Sequence, residues 1–141
     1  WCGLILYDDT ACKGQVAYKS AEFLFIESCS QCLSCKYGTN QATYYLHRLG
    51  QGSGDEMDVE YALAGSVMAP HGNRCFLPVE HSMLIPSIIR DFSNEFMKHY
   101  NRGCQSCRKI VLPKLIDFEE SKGWFVYARA KKEAEGTWLT R

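Results

Sequence analysis

The chain has 141 residues and no net charge, 16 Lys and Arg offsetting 16 Asp and Glu. A protein that grips nucleic acid mainly through its phosphates needs a basic excess, so that class is disfavoured. Apolar residues make up 46% and aromatics 13%, which argues against disorder, and no apolar run reaches the roughly 18 residues that span a bilayer.

The length fits one domain over residues 1–141, large enough to bury a core. Gly3–Tyr7 and Gln15–Tyr18 read as short strands on either side of an Asp8-Asp9-Thr10 turn. Ala21–Ile26 is apolar and fits a strand or the start of a helix running through the first cysteines. Ala42–Leu49 is rich in β-formers, Gly50 to Gly54 form a loop, and Met57–Val67 reads as a second strand, together a hairpin. A turn follows at Pro70 to Asn73, then a short edge segment from Cys75 to Val79.

The clearest element is a helix from about Leu84 to Arg102, where Ile85, Ile88, Ile89, Phe92, Phe96, Met97 and Tyr100 draw one apolar stripe. Ser82 suits its N-cap, Pro86 its first turn and Gly103 its C′ position. Strands are then expected at Lys109–Pro113 and, most strongly, at Gly123–Ala130, with a turn at Glu133–Gly136 and a last short strand at Thr137–Leu139. One long helix among separated strands gives an α+β fold, an antiparallel β-sheet packed by that helix.

Eight cysteines punctuate the chain: Cys2, Cys12, Cys29, Cys32, Cys35, Cys75, Cys104 and Cys107. An even set at this density reads as a disulfide framework in an extracellular setting, with no metal or cofactor expected. The start at Trp1 fits removal of a secretory signal peptide, which leads to the same oxidising destination. A competing reading takes Cys29-x-x-Cys32 and Cys104-x-x-Cys107 as two knuckles of a tetrahedral Cys₄ zinc site. Their separation far exceeds the roughly 15–20 residues of a compact zinc module.

Other chemistry is thinly represented. His71 or His81 with Asn73 or Asp91 could assist a thiol nucleophile, yet an even cysteine set leaves no obvious free thiol. Asp55, Glu56, Asp58 and Glu60 cluster beside the glycine loop and carry the alternative of a secreted hydrolase, against the simpler reading of a solvated tip. No Walker loop, nucleophile elbow or dinucleotide fingerprint is present. Toward the C-terminus Trp124, Tyr127, Arg129, Lys131, Lys132 and Trp138 mix rings and cations in the way of a protein-binding surface, although half of such rings would face a core.

The Cys104–Cys107 knuckle running into Arg108-Lys109-Ile110, and the later Trp124-Phe125-Val126-Tyr127-Ala128-Arg129-Ala130 strand, resemble the secreted avirulence effectors of plant-pathogenic fungi, most closely the LARS structural family. That resemblance covers the last quarter of the chain. It implies a secreted, cysteine-rich protein without enzyme activity that binds a host or partner protein, has no catalytic residues and triggers or modulates plant immunity.

Overall fold

The computed structural model describes residues 4–104, 110–112 and 115–127. The chain divides into two compact units, Trp1–Ile110 and Val111–Arg141. Among its described residues the first unit contains α1 (Lys13–Glu27), α2 (Leu33–Gln51), α3 (Glu56–Met68), α4 (Leu77–Asp91) and the short α5 (Ser93–Met97). The second holds β1 (Leu115–Glu119) and β2 (Trp124–Tyr127).

Where strands were expected over Gln15–Tyr18, Ala42–Leu49 and Met57–Val67, the chain is helical. The reason lies in the spacing of what is buried. Thr39, Ala42, Leu46 and Leu49 face inward from α2, and Val59, Ala62, Ser66 and Ala69 lie inward on or just beyond α3. Steps of three and four residues are those of one helical face. Among the β-formers of these runs, Tyr44 and Tyr61 are exposed, where propensity is a weak guide.

The expected long helix starts earlier and breaks. α4 begins at Leu77 with Pro78 in its first turn, a position where the missing N–H costs nothing. Ser82 sits inside α4, its hydroxyl bonded to the Val79 carbonyl at 2.8 Å, rather than at the N-cap. Phe92 leaves helical geometry and ends α4, so the apolar stripe continues through α5 and a series of turns. Gly103 is left-handed, with φ +66°, but it lies in the turns five residues past Lys98, the C-cap of α5, rather than at a helix C′ position. Residues 4–8 and 110–112 form no strand. Most of Lys109–Pro113, and all of 128–141 with its expected turn and last strand, lie outside the described residues.

Contacts run from α1 to α2, α2 to α3, α3 to α4 and back from α4 to α1. With short connections, this is the ring of an up-down four-helix bundle. Its core is Ala17 and Ala21 of α1, Leu46 and Leu49 of α2, Val59 and Ala62 of α3, and Ile85 and Ile89 of α4, closed by Phe96.

The α2–α3 crossing is the tightest contact. A Cβ on Gly38 would stand 2.5 Å from the Gly65 carbonyl oxygen and 2.9 Å from the Ala69 backbone, while one on Gly65 would stand 2.8 Å from the Gly38 oxygen. Only glycine at both positions lets the backbones meet. The α2–α3 turn is fixed by a capping box: Asp55 accepts from the Met57 and Asp58 amides at 2.9 and 3.3 Å, and Asp58 accepts from the Asp55 amide at 2.8 Å. Asp58, almost fully buried, also pairs with Arg48 Nε of α2 at 2.9 Å.

In the second unit β1 and β2 pair antiparallel, Phe118 opposite Phe125 and Glu119 opposite Trp124, across a turn with Gly123 at φ +65°. Glu119 binds the Lys122 ammonium at 2.9 Å and accepts from the Trp124 indole at 3.1 Å. These partners, Lys122 foremost, hold its carboxyl below the usual carboxylate range.

Candidate iron–sulfur site

One end of the bundle gathers cysteines. α1 stops at Glu27, capped by Ser28, and the chain turns through Ser30, which adopts φ +59°. Cys29 lies in this turn and Cys32 is the N-cap of α2, its sulfur making no capping hydrogen bond. Cys35 follows in the first turn of α2, buried, with Ser28 Oγ 3.4 Å from its sulfur. Cys75 arrives from the α3–α4 connection, just ahead of α4. Ser28, Cys29, Cys32, Cys35 and Cys75, with Leu77 and Pro78, line one recess.

The neighbouring geometry holds these parts in register. Ser34 Oγ donates to the His71 carbonyl, and Asn73 Nδ2 donates to the Cys75 carbonyl at 2.6 Å, so the connection is tied to α2 on one side and shaped around Cys75 on the other. The Thr39 hydroxyl bonds the Cys35 carbonyl at 2.7 Å. One turn beyond Cys35, Gly38 makes its close approach to Gly65 and Ala69, fixing where α3 ends and the Cys75 segment begins. The first turns of α2 and α4 both face the recess, and helix N-termini favour negative charge.

All four sulfurs are free thiols, as is Cys12, while Cys104 is disulfide-bonded. Cys2 and Cys107 lie outside the described residues. A framework built from all eight cysteines therefore does not describe this chain. The alternative zinc set is also divided: Cys29 and Cys32 join Cys35 and Cys75, whereas Cys104 lies beside Cys12 and His99. Among the described residues, only Cys12, His99 and Cys104 bring three donor atoms within 4.8 Å of one another, the spacing of a single-ion site. The four cysteines of the recess are spread more widely. That suits a polynuclear cluster better than one bare ion, and the donor set, four thiols around a largely apolar hollow, fits a Cys₄-held iron–sulfur cluster.

The signal for this site was present in the sequence. Cys29, Cys32 and Cys35 form an unbroken C-x-x-C-x-x-C run, the spacing of iron–sulfur ligands. Reading only its first pair as a knuckle hid the third member.

Other expected site residues have structural roles or fall elsewhere. Of the acidic cluster, Asp55 and Asp58 cap α3 and Asp58 pairs with Arg48, which are structural roles. The His71 carbonyl and the Asn73 side chain shape the loop before Cys75, while His81 is fully buried. Trp124 and Phe125 are 58% and 59% exposed on β2, which Tyr127 ends. Arg129, Lys131, Lys132 and Trp138 lie outside the described residues.

Residues 15–99 match a family described as the NADH-ubiquinone oxidoreductase-F iron-sulfur binding region. Among curated proteins, the chain is 30% identical over 98 residues to an F-type subunit of the NADH-quinone oxidoreductase of Rhizobium meliloti, covering 69% of this chain and 23% of that protein. It is 28% identical over 100 residues to the F-type subunit of the NADH-quinone oxidoreductase of Mycobacterium tuberculosis, covering 71% and 22%. It is 26% identical over 97 residues to the HndC component of the NADP-reducing hydrogenase of Solidesulfovibrio fructosivorans, covering 69% and 20%. The chain thus spans less than a quarter of the length of these relatives.

These matches overturn the effector reading. The similarity is to subunits of oxidoreductases, not to fungal avirulence proteins, and it covers the helical unit rather than the C-terminal quarter on which that resemblance rested. The expectations that followed from it, a non-enzymatic secreted binder, an extracellular location and a host immune partner, are corrected with it. The physical cause of the error is the assumption that an even cysteine count means disulfides; at least five of the eight are reduced.

Proposed function

The chain belongs to the NADH-ubiquinone oxidoreductase-F iron-sulfur binding family, and from that premise we propose that it is an electron-transfer module whose Cys29, Cys32, Cys35 and Cys75 hold a [4Fe–4S] cluster. When bound, such a cluster supplies reversible one-electron transfer. The observation that carries the reading is the convergence of four free thiols, three from the α1–α2 turn and one from the α3–α4 connection, on one recess.

The residues divide the work. Cys35 is buried and Cys32 half-buried, while Cys29 and Cys75 are exposed. The buried Cys35 and half-buried Cys32 would hold the cluster from the protein side, and the exposed Cys29 and Cys75 would leave its outer face toward a partner. Leu77 and Pro78 supply apolar surface that keeps water from the inner side. The amide ends of α2 and α4, which face the recess, would favour the negative charge of a thiolate-held cluster. Given the relatives' names, the module works as part of a larger oxidoreductase that takes electrons from, or gives them to, a nicotinamide nucleotide, next to partner subunits of the same complex.

The test is anaerobic reconstitution of the chain with iron and sulfide. Iron and acid-labile sulfide should bind in equal amounts, and chemical reduction should produce the paramagnetic signal of a reduced cluster. Cys75→Ser and Cys35→Ser should lose most of the iron, whereas Cys12→Ser should keep it. Full iron content in Cys75→Ser would refute the assignment.

A further inference from the structure

At the opposite end of α1 and α2 lies a second sulfur site that the cluster does not use. Cys12 is the N-cap of α1, its sulfur accepting from the Gln15 amide at 3.5 Å. Facing it is His99, buried, with Nε2 3.2 Å from Cys12 Sγ. The other imidazole nitrogen, Nδ1, donates to the Glu95 carbonyl at 2.8 Å. In the neutral ring that bond keeps the proton on Nδ1 and leaves Nε2, the nitrogen nearest the sulfur, as the one free to ligate, the arrangement second-shell carbonyls impose on metal-binding histidines. Cys104 completes the trio, its backbone held by a bond from its amide to the Gly50 carbonyl at 3.2 Å. Gly52 and Gly103 touch at this point: a Cβ on Gly103 would stand 2.9 Å from Gly52 N, so the chain passes against the end of α2 without a side chain between. Lys13 N donates to Glu95 Oε1 at 2.6 Å, which ties the start of α1 to α5, just ahead of the turn that holds His99.

We propose that Cys12, His99 and Cys104 form a zinc-type metal site, which takes one tetrahedral divalent ion when the Cys104 disulfide is reduced. Two thiolates and one imidazole are a soft S₂N set suited to Zn²⁺, with a fourth position left for an exogenous ligand. That position opens toward a polar groove lined by Asp9, Thr10, Lys98 and Arg102. The chemistry balances with a phosphine as reductant. The Cys104 S–S bond breaks, both sulfurs become thiols, and phosphorus is oxidised to the phosphine oxide with oxygen from water. Zn²⁺ then displaces one proton each from Cys12 and Cys104 and accepts the His99 Nε2 lone pair. Cys107 lies outside the described residues and is not assigned to the site.

The experiment uses the full chain in which Cys29, Cys32, Cys35 and Cys75 are all changed to Ser, so that metal at the recess cannot contribute. Zn²⁺ and Co²⁺ are titrated anaerobically, with and without phosphine. The reduced chain should bind one equivalent and, with Co²⁺, show sulfur-to-cobalt charge transfer; the unreduced chain should bind far more weakly. Cys12→Ala and His99→Ala should each weaken zinc by more than about 100-fold, beyond the roughly 10- to 100-fold effect of disturbing a second-shell group. His99→Cys should restore tight binding and intensify the charge-transfer band, which separates loss of a ligand from loss of the fold. Equal affinity in Cys12→Ala and parent, equal affinity with and without reductant, or no metal in a reduced and helical parent would each overturn the proposal.

Discussion

Acid should loosen the helical unit through His81. This residue of α4 is fully buried, and among the described residues neither of its ring nitrogens has a hydrogen-bond partner. Burial disfavours the imidazolium and pushes the pKa down to about 4 from an ordinary 6.5. The unfolded chain therefore binds a proton that the folded chain refuses, so stability is fully present above about pH 6.5 and falls as pH drops toward 4. At 1.36 kcal/mol per pKa unit the full loss is about 3 kcal/mol, and by pH 5 about 2 kcal/mol of it has gone. Urea unfolding followed by helical circular dichroism at pH 7.5, 6, 5 and 4.5 reads this directly. His81→Leu, close in volume and without a titrating group, should flatten the fall by about 2 kcal/mol at pH 5 while leaving neutral stability equal or higher. If parent and variant lose stability in parallel with acid, the burial argument is refuted.

Gly38→Ala should be among the most damaging single methyl additions in the protein, because the new carbon meets backbone rather than a movable side chain. A loss of about 2–3 kcal/mol in chemical denaturation is expected, with reduced iron uptake, since the crossing positions Cys35 against the Cys75 segment. Asp55→Ala should cost about 1 kcal/mol as a lost N-cap. Asp58→Ala should cost more, because it removes the reciprocal cap and leaves Arg48 without its buried partner; thermal unfolding of the two variants ranks them. Glu119→Gln, at an exposed pairing in the hairpin of the second unit, should leave the melting midpoint within error of the parent.

What the sequence disclosed depended on which signal was followed. The apolar stripe from Ile85 through Ile89 to Phe96 was legible as helix because its spacing was regular and its residues large. α2 and α3 were not, because their inward faces are Thr39, Ala42, Ala62 and Ser66; small residues pack the Gly38–Gly65 crossing and leave a weak hydrophobic pattern, while large exposed rings such as Tyr44 and Tyr61 dominate composition. The cysteine site was written in the run from Cys29 to Cys35, but its fourth member, Cys75, is joined only by the folded bundle. His99 carried no sequence mark at all: its place beside Cys12 arises from the turns after α5.

α2 is 19 residues long, and it separates the two sulfur centres. Cys35 lies in its first turn and Gly50, which anchors Cys104, near its last residue; at 1.5 Å per residue the helical rise between them is about 22 Å. Across that length the centres share a scaffold but no ligands. Loading or stripping one of the two proposed centres should leave metal binding at the other unchanged, so each can be titrated by itself in the same polypeptide.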